Sequence, residues 1–171
     1  MPPKHLTGDT TSASAAGEVA TPEASPRKLQ NPLLPLEKVP DITILICSHR
    51  GRDLRCGIYG PVLRDEFKNQ LSRANIPIWG TAEYDPKSTR AARVGLISHI
   101  GGHAFAGNAI IYIPPTAITS DQKPHPLAGW GVWYGRVEPS HVEGIVKETI
   151  LGGRIIDVLL RGGINGERNI F

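Results

Sequence analysis

Four residues have types and spacing that could do chemistry together. Cys47 and Cys56 enclose eight residues, and His99 and His103 enclose three, so the chain reads C-x8-C followed by H-x3-H. These are the only two cysteines in 171 residues. Two thiolates with two imidazoles form a set suited to zinc or to an iron–sulfur cluster. Singly, a Cys at the end of an apolar run is ordinarily a small core residue, and a lone His an ordinary hydrogen-bonded group. The tight pairing, and the apolar run ahead of each pair, set these four apart. His5, His125 and His141 have no such pairing. His49, two residues beyond Cys47, is the one substitute ligand in reach. Arg50, Arg52 and Arg55 read as the solvated face of a loop.

Three chemistries fit the pattern less well. H-x3-H fits a zinc half-site, but eight residues between the cysteines is wide where two to four are usual. A thioredoxin-type dithiol needs C-x-x-C, which is absent. No nucleophile-elbow or oxyanion motif accompanies the cysteines, so a Cys–His hydrolase is supported by composition alone.

The elements that must position the set are legible in part. Ile42-Thr-Ile-Leu-Ile-Cys47 is the pattern of a strand buried on both faces, delivering Cys47 at its end. Residues 48–55 form a polar loop. Gly60-Pro61 marks a helix start, with Val62, Leu63, Phe67, Leu71 and Ala74 on its inner face. Residues 93–98 are a second strand, handing over to His99. Gly101-Gly102 disfavours helix between the two histidines, so a loop is expected there. Residues 108–113 and 131–137 are further strands, separated by a surface loop over 114–127. Ser140 and Glu143 form a capping box for a second helix, which Gly152-Gly153 stops. Residues 154–160 read as a last extended piece. The order β-α-β-β-β-α is an α/β layer fold, with helices covering a mixed sheet.

Composition bounds the rest. Lys and Arg number 19 against 16 Asp and Glu, a net charge of +3 that lacks the density of a nucleic-acid-binding arm. No stretch approaches the ~18 apolar residues of a membrane span. Two cysteines and no visible secretory leader argue for a reducing compartment and against a disulfide scaffold. Residues 1–40 carry seven prolines and no aromatic, and read as a disordered low-complexity tail ahead of a domain over 41–171. Acidic residues and a late first Arg make this tail a poor transit peptide.

The paired spacings, His99-Ile-Gly-Gly-His-Ala-Phe-Ala-Gly-Asn108, and Trp133-Tyr-Gly-Arg-Val-Glu-Pro139 together resemble the sucrase/ferredoxin-like family, in particular its fungal "altered inheritance of mitochondria" branch. The resemblance covers about residues 41–163. It implies a thioredoxin-like fold and a [2Fe-2S] cluster bound by Cys47, Cys56, His99 and His103. Where other members of the wider fold carry a C-x3-C pair, this chain has H-x3-H. The resemblance also implies a preceding domain, at a place where this sequence has residues 1–40, and a mitochondrial location, with the cytoplasm as alternative. The expected function is one-electron transfer or redox sensing with an unidentified redox partner protein. Its alternative is a non-redox binding module with structural zinc on the same four residues. Two imidazoles in place of two thiolates make the site less negative, which favours electron uptake, and their free ring N–H can couple that uptake to a proton. Gly57, Gly101 and Gly102 either let backbone amides approach the sulfides or serve simple turn chemistry.

Overall fold

The computed structural model describes residues 39–171, apart from residues 52, 86, 87 and 89 and the side chain of His103. The expected disordered tail lies outside the described residues except for its last two positions. The elements run β1 (Ile42–Cys47), α1 (Leu54–Arg73), β2 (Ala92–Ile97), a 3-10 turn (His103–Phe105), β3 (Ala109–Tyr112), β4 (Trp130–Tyr134), α2 (Pro139–Gly144) and β5 (Leu160–Asn165). Behind α2 the helix continues, more widely wound, over Ile145–Leu151.

The five strands lie in the order β2-β1-β3-β4-β5. β2 runs parallel to β1, with α1 as the crossover, and the other neighbours are antiparallel. A βαβ unit followed by a ββα unit, with the first strand central, is the thioredoxin-like arrangement expected from the sequence. A parallel pair needs such a helical crossover, which places the carboxyl ends of β1 and β2 side by side.

Both helices pack on one face of the sheet. Ile44, Ile46, Ile111, Val132 and Tyr134 point to that face and are fully buried against Leu63, Phe67 and Val142. The other face is barer. Thr43 and Leu45 are half-buried and Tyr112 is exposed, so β1 is fully covered on one face only, not on both. The uninterrupted apolar run of β1 reflects partial burial on its second side.

α1 begins six residues before Gly60, at Leu54. Asp53 caps it, its side chain accepting from the Arg55 amide at 2.9 Å. Pro61 is therefore inside the helix and has no N–H to offer the Gly57 carbonyl. The inner face runs Cys56, Gly60, Leu63, Phe67 and Leu71, while Val62 is exposed. The second cap is displaced too. Glu138 is the N-cap, Pro139 takes the first turn, and His141 Nδ1 accepts from the Glu138 amide at 3.1 Å, not the Ser140–Glu143 pair expected. The last extended piece also falls later than residues 154–160. It is β5, whose Gly162 and Gly163 weaken any strand signal.

The 114–127 loop is anchored inside. His125 is buried, its Nε2 is 3.1 Å from the Ile150 carbonyl, and its Nδ1 accepts from the Leu127 amide at 3.1 Å. Burial holds its pKa below the usual imidazole value, only partly opposed by the carbonyls it faces. A depressed pKa contributes stability above the unfolded value of about 6.5 that is lost as pH falls below it. His125→Gln is accordingly expected to flatten the drop in melting temperature between pH 7.5 and 5. An undiminished drop in the variant would contradict this role.

Candidate metal centre

Cys47 closes β1 and Cys56 sits in the first turn of α1, so the strand-to-helix connection brings the two cysteines together. Both are free and buried, at 1% and 2% exposure. The Cys56 thiol is pushed up to about 11, by burial first, then by the neighbouring Cys47 thiol and Asp53, with Arg55 opposing. A thiol with a folded pKa above its ordinary value favours the protonated form. That share of stability is complete below about pH 9 and lost as pH rises toward 11. At pH 8 the metal-free folded chain should be alkylated at Cys56 about 100-fold more slowly than the unfolded chain, since two pKa units are a hundredfold in thiolate. Equal rates in the two states would refute the shielded pair.

The histidines come from the neighbouring strand. β2 pairs with β1 up to Cys47↔Ile97, and the Ser48 amide donates to the Ile97 carbonyl at 3.0 Å, so the chain leaves β2 toward His99 beside the cysteine loop. The His99 ring lies 6.2 Å, centroid to centroid, from that of His49, the residue named as a substitute ligand. The residues between the histidines form the loop expected there, and His103 opens a 3-10 turn. Among the described residues no three His, Cys, Asp or Glu side chains are gathered closely enough to hold a metal ion, the His103 ring being outside them.

The 99–108 segment is fastened on several sides. Gly101 has φ +70°, and a Cβ there would lie 2.7 Å from the Trp133 ring and 2.8 Å from Asn108 Oδ1. The Arg136 and Val137 amides donate to the Phe105 and Gly107 carbonyls at 3.3 and 3.1 Å. Arg161 and Arg136 lie over the Phe105 ring, at 3.5 and 4.7 Å. Gly57 also admits protein rather than ligand, since a Cβ there would meet Arg50 Cβ at 2.6 Å. Both glycines thus answer to close packing with protein atoms, a constraint beyond the turn chemistry or the approach to sulfide expected of them.

Three buried side-chain polar atoms lack a partner among the described residues: His49 Nδ1, Asn108 Nδ2 and Arg161 Nη1. All three belong to residues packed around the 99–105 segment. Buried polar atoms are rarely left unpaired, and each of these three could donate to an acceptor that the described residues do not supply. Cys47, Cys56 and the histidine segment supply thiol and imidazole donors, a composition that fits an iron–sulfur cluster. Neither Asn108 nor Arg161 was singled out from the sequence. Their signal lies in an unpaired atom, which only the packed structure shows.

A thioredoxin-like domain with a buried cysteine pair at the first strand–helix junction is the class that fold and site define. The chain belongs to the sucrase/ferredoxin-like family, whose model matches residues 6–162. It is similar to proteins called "Altered inheritance of mitochondria protein 32" from Debaryomyces hansenii, 42% identical over 121 residues, and Clavispora lusitaniae, 43% over 119. These matches cover 71% and 70% of this chain but 35% and 34% of the relatives, so the chain spans about a third of their length. A thioredoxin-like [2Fe-2S] ferredoxin from Aquifex aeolicus aligns with a TM-score of 0.45 at 17% identity, over 70% of this chain and 95% of that one. Among the described residues no helix is long and apolar enough to cross a membrane.

Proposed function

We propose that Cys47, Cys56, His99 and His103 hold a [2Fe-2S] cluster and that the domain of residues 41–171 is an electron carrier or redox sensor. The observation carrying this reading is the free, buried cysteine pair lying beside a histidine segment whose neighbours carry buried polar atoms without a partner among the described residues. When bound, the cluster supplies one-electron acceptance and release. The chain's own part is to prepare for it. Cys47 and Cys56 must surrender protons, which the raised Cys56 thiol resists, so loading releases protons and weakens as pH falls. Neutral imidazoles at positions 99 and 103 leave the donor set less negative than four thiolates, favouring electron uptake, and their second ring nitrogens can exchange a proton with it. Gly101 and the Phe105 and Gly107 carbonyls fix the backbone on which those histidines ride.

Structural zinc on the same residues is the competing reading. A bare zinc ion brings no acceptor atoms of its own to Asn108 Nδ2 and Arg161 Nη1, whereas sulfide does, and this favours the cluster. The relatives' name motivates a mitochondrial location, and the redox partner is taken to be a protein. The test is colour. Chain purified without oxygen should absorb in the visible and bleach with dithionite, while a colourless chain would overturn the reading.

A further inference from the structure

The strand register puts an unclaimed donor beside Cys47. In the β1–β3 pair Thr43 faces Tyr112, Leu45 faces Ile110 and Ile46 faces Ala109. One step further, the Cys47 amide donates to the Asn108 carbonyl at 3.0 Å, so the ladder continues and Asn108 is the cross-strand neighbour of Cys47. Directly opposed residues carry their side chains on the same face of a sheet, with Cβ atoms about 4.5–5.5 Å apart.

The orientation of the Asn108 carboxamide is set by Trp133. Indole Nε1–H can only donate, and it meets Asn108 Oδ1 at 3.2 Å. The amide cannot be turned around without aiming its NH2 at that donor. Nδ2 is therefore directed away from Trp133, on a side chain that is 1% exposed, and it has no partner among the described residues. The Gly101 backbone packs against the same carboxamide, so Asn108 touches both the cysteine strand and the histidine segment.

We infer that Asn108 is a positioning residue for the cluster site, its Nδ2 donating a hydrogen bond to sulfur of the group held at Cys47. The inference rests on the cluster reading above. Hydrogen bonds to cluster sulfur stabilise the more negative, reduced state and raise the potential. Asn108 thus sets how readily the domain accepts an electron without ligating iron.

The experiment compares wild type, Asn108→Ala and the isosteric Asn108→Asp, which keeps an acceptor for Trp133 but loses the NH2. Each is scored for far-UV circular dichroism, iron and acid-labile sulfide per chain, and midpoint potential. The expected result is native circular dichroism and full iron and sulfide in both variants, with potentials shifted to more negative values. The Asp variant should shift further, because it adds a charge. Wild-type potential in Asn108→Ala with a full cluster overturns the inference and leaves the cluster reading standing. Folded variants that lose iron overturn it as well, by making Asn108 a scaffold residue, as does unfolding of both. A wild type without iron or sulfide defeats the cluster reading itself, before any variant is compared.

Discussion

Cys47→Ser and Cys56→Ser are each expected to reduce bound iron and acid-labile sulfide to background while the metal-free domain still folds. Both cysteines are free and buried at one strand–helix junction, so removing either leaves half of a pair. In the metal-free chain the change is small in volume and should cost on the order of 1 kcal/mol. In the loaded chain the loss is larger, because whatever binds only the folded state adds its own binding energy to stability. The melting temperatures of variant and wild type should therefore differ much more with metal than after chelation. Either variant keeping a full complement of iron and sulfide would remove that cysteine from the ligand set.

Replacing both histidines, as His99→Cys/His103→Cys, is expected to lower the midpoint potential by roughly 250 mV or more, the interval between two-histidine and all-cysteine [2Fe-2S] centres. Two thiolates add negative charge where two neutral rings stood. The pH dependence should change with it. Electron uptake raises the pKa of a ligating imidazole's free N–H. The wild-type potential should therefore fall by up to ~59 mV per pH unit above the oxidised-state pKa and level off above the reduced-state one. The double variant should be nearly flat there. Superimposable flat curves would mean that His99 and His103 are not ligands. His49, whose ring already stands 6.2 Å from that of His99, would be the next residue to replace.

The parts of this architecture readable from sequence were those where one residue pattern has one physical outcome. A β-branched run ending in Cys47 makes a central strand, and two glycines between histidines break a helix. The misplaced boundaries share a cause. Pro61 is tolerated in a first turn, but it is equally the residue that hides a start further upstream, and Asp53 was a stronger cap than the Gly-Pro signal suggested. In the second helix Pro139 moved the cap two residues earlier, from Ser140 onto Glu138. β5 was expected too early, over 154–160, because its glycines carry no side chain to alternate, while its place is held by neighbours, Phe171 packing on Gly163 and on the Trp130 ring. At the site, residue types and spacing pointed to the cysteines and histidines. Asn108 and Arg161 stayed hidden, since an Asn at the start of a strand and an Arg just past the expected last extended piece look like surface until an atom of each is found buried without a partner among the described residues.

The most direct test of the central claim is elemental. Chain expressed with iron and zinc both available, and purified without oxygen, should contain about two iron and about two acid-labile sulfide per chain with negligible zinc. About one zinc per chain and no sulfide would contradict the account and establish the structural-zinc reading in its place.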